Sequence, residues 1–197
     1  MPLLALEHSP TAYRADFVFY GASSLALGGA LLLARPAGSG AMLAAWALGG
    51  AALWTLVEYG LHRFVLHGLA PFKKWHAEHH RRPTALIASP TLLSALLFGA
   101  LAALPAWWWL GAWPACALCF GLITGYWAYG LTHHATHHAV PPFVRRSAWL
   151  ARRRRWHAMH HSTTAARAQP GHYGVSSSLW DYVFRTHHTA PLARRTP

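Results

Sequence analysis

"LWTLVEYGLHRFVLH", residues 53–67, joins two kinds of chain. Its first part ends an uncharged apolar run, residues 41–57, and its second part sets Glu58, His62 and His67 directly after that run. A carboxylate at the end of such a run is costly at membrane depth and usually functional. The stretch therefore predicts a membrane-spanning helix that delivers ligand-type side chains to one membrane face.

Working outward, three more uncharged runs occur at 17–34, 88–110 and 113–132. Each is near the roughly 20 residues that cross a hydrocarbon core. Only 11% of residues are charged and 54% are hydrophobic, against about 25% charged in an ordinary soluble domain. The pattern predicts an all-α integral membrane protein with four transmembrane helices and a cytoplasmic helical cap. One membrane domain would cover 1–197, with spans at about 17–34, 41–66, 88–110 and 113–138. Residues 67–87 and 139–187 would form the cap, and 188–197 a tail. No small-residue cleavage pattern follows the first run, so it reads as a span and not a signal peptide.

Of the 17 Lys and Arg, only Arg35 falls between spans one and two, and the turn near 111–112 has none. Basic loops stay on the cytoplasmic side, which places both termini and the 63–87 connection there, in an inner membrane. A net charge of +12 and "RRRR" at 152–155 raise the question of nucleic acid. Topology and anionic lipid headgroups already account for such a cluster, so no nucleic-acid partner is expected. "VRRSAWLARRRRW", residues 144–156, reads as an interfacial amphipathic helix, and its arginines suit an acidic electron donor. Trp75 and Trp156 read as headgroup-level anchors. Cys116 and Cys119 read as small residues in a packed helix. Gly49, Gly50, Gly60, Gly121 and Gly125 read as points of close helix approach or a slot for a chain.

The chain holds 16 histidines. "WHAEHH" at 75–80 is nearly repeated by "WHAMHH" at 156–161. Residues three and four apart share a helix face, so His76, His79 and His80 point one way, as do His157, His160 and His161. His133 and His137, in "YGLTHHATHH" at 129–138, are one turn apart. His62 and His67 are five apart, a poor fit to one face of a regular helix. Either they serve different metals or the helix unwinds between them. Ten imidazoles from four segments exceed the needs of one ion and suit two, so the paired motifs read as halves of one dinuclear site. His134 and His138 fall beside the ligands, as supporting or headgroup contacts. Glu58 would orient a ligand imidazole through its other ring nitrogen, Asp181 would do so in the second half, and His172 would add a contact. His8, His187 and His188 read as solvated.

The order H-x4-H, H-x2-HH, H-x3-H, H-x2-HH over four spans resembles the fatty acid hydroxylase / sterol desaturase superfamily. The tail "GVSSSLWDYVFRT", residues 174–186, is similar to that family's ending, and "YGLTHHATHH" to the third box of its fatty acid 2-hydroxylase branch. The resemblance covers roughly 50–187. It implies ligands at His62, His67, His76, His79, His80, His133, His137, His157, His160 and His161. It further implies two iron ions, dioxygen as co-substrate, and hydroxylation of a membrane lipid chain. Desaturation is the near alternative within the superfamily, and a metal-binding or transport protein the alternative outside it. Many eukaryotic relatives carry a cytochrome b-type domain for which this length leaves no room, so an external electron-transfer protein is implied.

Attack on an unactivated C–H bond needs a strongly oxidising metal centre that protein side chains cannot replace. Imidazole binds iron, zinc, copper and nickel alike, so a purified sample is free to carry zinc. The histidines gather at one face and the far halves of the spans are apolar, a pattern of a capped site and not of a conduit.

Overall fold

The computed structural model describes residues 7–162 and 170–187. His188 and the 188–197 tail lie outside the described residues. Nine α-helices are present among those described, and no strand beyond an isolated bridge between Glu7 and Ile87. Helix α1 runs Pro10–Leu33 and α2 runs Gly40–Gly60, continuing as a π-helical segment, Leu61–Leu66. Helix α3 is Phe72–Arg81. Helix α4, Thr91–Phe98, passes through a π-helical turn, Gly99–Ala103, into α5, Leu104–Leu110. Helix α6 is Ala112–His137, α7 Pro142–Arg145, α8 Ala148–His161 and α9 Leu179–Val183.

Four continuous helical stretches, Pro10–Leu33, Gly40–Leu66, Thr91–Leu110 and Ala112–His137, are long and apolar enough to cross a membrane. Their outward side chains stay apolar: Leu25 is 76% exposed and Trp108 85%. A helix that is hydrophobic all round, with its apolar side chains turned outward, belongs in lipid. This is a multi-pass membrane protein. Ser9 caps α1, its Oγ accepting from Ala12 N at 3.2 Å, and Pro10 fills the first turn, where its missing N–H is harmless. The helix thus starts ahead of the uncharged 17–34 run, because Arg14 and Asp16 sit in its first turns.

Helices α2 and α6 form the central pair. A Cβ at Gly50 would collide with the Leu118 carbonyl, and one at Gly121 with the Ala47 carbonyl. Only glycine lets these two backbones approach so closely. Gly49 and Gly60 face open space. Cys116 packs beside Leu31, Leu43 and Ala117, and both cysteines are free thiols. Packing of α3 on the π-helical end of α2, and of α8 on α6, brings the four histidine groups together.

Candidate metal centre

The site begins where α2 changes pitch. Over Leu61–Leu66 the chain is π-helical, and His67 N donates to His62 O at 3.2 Å across five residues. A π-helix puts residues five apart on one face. The His62 and His67 rings therefore sit together, 5.3 Å apart, within one group of nitrogens that could hold an ion, and the helix does change pitch between them. His133 and His137 reach the same relation on regular α-helix, with rings 4.9 Å apart.

The two WHxxHH motifs do not divide one per centre. His62, His67, His76, His80 and His160 offer nitrogens within 4.8 Å of one another, and so do His79, His133, His137 and His157. His161 joins the second group, its Nε2 3.1 Å from that of His157. Each motif keeps its first and third histidines in one cluster and sends the middle one across. His160 of α8 meets His67 at 3.1 Å, and His79 of α3 meets His133 at 3.1 Å. Each cluster thus holds a span-end pair, an i,i+4 pair and one imidazole from the other motif.

These groups fit metal ions. The Nε2 atoms of His62 and His76 lie 3.0 Å apart, those of His76 and His80 3.1 Å, and those of His137 and His157 2.7 Å. Two nitrogens bound at right angles to one ion, each about 2.1 Å from it, would be about 3.0 Å apart. The imidazoles are also held neutral, with lone pairs free. Burial first, and neighbouring imidazoles second, push His79 and His161 down to about 3. Burial takes His80 down to about 4, and burial with nearby positive charge does the same for His67. His76, His157 and His160 are driven further below the ordinary imidazole value by the same causes.

One loop sets the first cluster. His160 Nδ1–H donates to the Gly171 carbonyl at 2.6 Å, and His62 Nδ1–H to the Tyr173 carbonyl at 2.6 Å. A carbonyl only accepts, so both rings carry their proton on Nδ1 and turn the Nε2 lone pair inward. Gly171 (φ 65°) and His172 (φ 50°) are left-handed, which bends this loop inward. The carboxylates stand behind it. Asp181, fully buried, accepts from Tyr173 N at 2.9 Å, Gly174 N at 2.8 Å and Thr186 Oγ at 2.7 Å. Glu58 accepts from Val175 N at 2.5 Å, Ser176 N at 2.8 Å and Ser176 Oγ. Among the described residues neither carboxylate bonds an imidazole directly; both act through the loop backbone. Among the described residues the second cluster has no such brace: Nδ1 of His79, His157 and His161 is buried with no hydrogen-bond partner there.

The remaining histidines pack around the site. The His172 ring stacks on Trp156, with centroids 5.8 Å apart. His138 stacks on His134 at 4.4 Å, and His134 Nδ1 pairs with Tyr13 OH at 3.3 Å. His8 and His187 are half-buried instead of solvated: His8 Nε2–H donates to Ala88 O at 3.0 Å, and His187 Nδ1 lies 3.3 Å from Asp181 O. Sequence reasoning missed the Gly171 and Tyr173 carbonyls, whose role no side chain signals. It also missed Arg153, 6% exposed, stacked 4.4 Å over Trp156 and donating to Ser178 Oγ at 3.2 Å.

A cavity of about 540 Å³ touches His62 and His76 of one cluster and His79 and His133 of the other. From there it runs between apolar side chains that include Trp54, Leu97, Phe98 and Leu101.

The fatty acid hydroxylase family model matches residues 47–186. The dihydroceramide fatty acyl 2-hydroxylase FAH2 of Arabidopsis thaliana is 34% identical over 152 residues, covering 70% of this chain and 58% of that protein. The ceramide very long chain fatty acid hydroxylase SCS7 of Saccharomyces cerevisiae is 33% identical over 169 residues, covering 74% of this chain and 39% of that protein. The solved structure of full-length Scs7p, with only its hydroxylase domain visible, superposes with a TM-score of 0.73 at 25% identity, over 95% of this chain and 69% of that one. This chain therefore spans little more than half of the first of these relatives and less than half of the second. It belongs to the fatty acid hydroxylase family.

Proposed function

We propose that this chain hydroxylates the acyl chain of a membrane lipid, using two metal ions held by ten imidazoles. The observation that carries the reading is the cavity: an apolar groove among membrane-spanning helices, with both clusters at one end. His62, His67, His76, His80 and His160 would hold one ion, and His79, His133, His137, His157 and His161 the other. Iron is the metal that suits the reaction; zinc would bind the same nitrogens and do nothing oxidative. Bound there, a redox metal pair supplies the oxidising power that no side chain offers.

The chain's own residues do the rest. Gly171 and Tyr173 aim the imidazoles, and Glu58 and Asp181 hold that loop in place. The apolar groove excludes water and keeps a lipid chain beside the clusters. Tyr129 walls the groove, its ring stacked on His133 at 5.8 Å and 6°. Electrons would come from an external acidic protein docking at the arginines of α8, with both termini and the clusters on the cytoplasmic side of an inner membrane.

The test is comparative lipid analysis of well-aerated cells with and without the chain, followed by turnover with iron-loaded, reduced protein. A lipid that gains one oxygen atom supports hydroxylation. A lipid that loses a pair of hydrogens makes the chain a desaturase. Identical lipid extracts and no product in vitro would remove the oxidative role.

A further inference from the structure

Leaving histidine aside, three charged side chains are buried among the described residues: Glu58, Asp181 and Arg153. All three hold one stretch of chain. Asp181 takes the N–H groups of 173 and 174, Glu58 takes those of 175 and 176, and Arg153 Nη2 donates to Ser178 Oγ at 3.2 Å. That stretch continues the loop whose Gly171 and Tyr173 carbonyls turn His160 and His62. Arg153 also reaches the loop by a second route. Its guanidinium carbon lies 4.4 Å from the centre of the Trp156 ring, and Trp156 stacks on His172, between those two carbonyls, at 5.8 Å and 16°. Arg153 and Trp156 are three apart on α8 and share a face, so one helix face grips the loop at 172 and at 178.

Packing alone does not call for an arginine here. Its Nε and Nη1 are buried with no hydrogen-bond partner among the described residues, and a methionine would cover Trp156 without leaving donors unpaired. What the arginine adds is charge. Two carboxylates buried behind one loop repel each other and are costly without a counter-charge. No other Lys or Arg is buried among the described residues. Arg153 makes no direct ion pair with either carboxylate there, so it acts on them through its field across the loop. The coupling is felt at the guanidinium: burial lowers its pKa, and the Glu58 charge, ahead of that of Asp181, raises it.

We propose that Arg153 is a positioning residue of the first metal centre: it is the counter-charge that lets Glu58 and Asp181 stay buried as anions, and with Trp156 it fixes the loop that aims His62 and His160. This rests on the reading that the imidazoles hold two ions. The second centre, which takes no hydrogen bond from this loop among the described residues, is outside its reach.

The test uses the purified, metal-free full chain in detergent, loaded with cobalt(II) and titrated with a chelator. His79→Ala and His160→Ala identify which release step belongs to which centre. Arg153→Met should weaken cobalt at the first centre about 10- to 100-fold, the range for groups behind the ligands, and leave the second as in wild type. Arg153→Lys keeps the charge and loses the fork, and should weaken the first centre only about 3- to 10-fold, the range of one hydrogen bond. The charge is isolated by repeating Arg153→Met in a Glu58→Gln chain. There the substitution should cost about 10-fold less than in wild type, because the anion it served is gone. A packing role predicts the same factor in both backgrounds. That result, a first centre unchanged by Arg153→Met, or equal weakening of both centres overturns the proposal. If Arg153→Met does not fold, Arg153→Lys decides: a first centre as tight as in wild type overturns it. A wild type that holds fewer than two cobalt ions per chain would instead sink the metal reading beneath it.

Discussion

The two imidazole clusters are alike in make-up but stand on different supports. The first takes its span-end pair from a π-helical turn, and the loop at 171–173 fixes two of its rings by hydrogen bonds from Nδ1. The second takes its pair from unbroken α-helix, and three of its Nδ1 atoms are buried without partners among the described residues. Among the described residues, orientation in the first is set by hydrogen bonding, and in the second by helix packing. Perturbations of the loop should therefore separate the two centres, while loss of a ligand should strike whichever cluster that imidazole enters.

The largest effect follows from the crossing histidines. His160→Ala should empty the first centre and His79→Ala the second, with turnover abolished in both. Metal analysis would show about half the wild-type metal per chain in each variant, because the centre not mutated keeps all five of its imidazoles. Full occupancy in either variant would break the ligand assignment. Next come the carboxylates. Asp181→Asn and Glu58→Gln should each weaken metal binding about 10- to 100-fold, the usual effect of disturbing groups behind the ligands, and only at the first centre. Competition with a chelator reads this directly; equal loss at both centres would remove the contrast.

Acid gives a smaller, graded effect on the metal-free protein. The imidazoles outside the spans have folded values of about 3 to 4, below the unfolded value of about 6.5. Between those limits the unfolded chain binds more protons, so stability rises with pH. Stability should be fully present above about 6.5 and fall progressively as pH drops toward 4. Metal loading should move that loss to lower pH, since ligands must first shed the ion. A thermal melting temperature that is flat from pH 7 to 4.5 in the metal-free chain would contradict this. The smallest effect belongs to Gly171→Ala. A side chain at φ 65° costs about 1–2 kcal/mol, and should lower melting by a few degrees and loosen the first centre only.

Much of this was legible in the residues. Four uncharged runs of near-spanning length imply spanning helices, because a helix satisfies its own backbone hydrogen bonds within one segment in lipid. Repeated spacing of three and four gave the histidine faces. Other features were not legible. Whether His62 and His67 could share a centre depended on a change of helical pitch that no residue type announces. The crossing of His79 and His160 depends on how α3 and α8 pack against each other, which spacing within one motif does not encode. Glu58 and Asp181 were recognisable as functional carboxylates, but their target is backbone N–H groups at 173–176, not an imidazole. His8 reads as terminal, yet chain pairing near Leu86 draws it to the groove wall.

The central claim is that two ions sit among five imidazoles each, with the middle histidine of each motif crossing over. Anomalous diffraction at the iron edge from iron-loaded protein tests it most directly. The account predicts two peaks: one among His62, His67, His76, His80 and His160, and one among His79, His133, His137, His157 and His161. A single peak, or two peaks ligated motif by motif with His79 beside His76 and His160 beside His157, would contradict it.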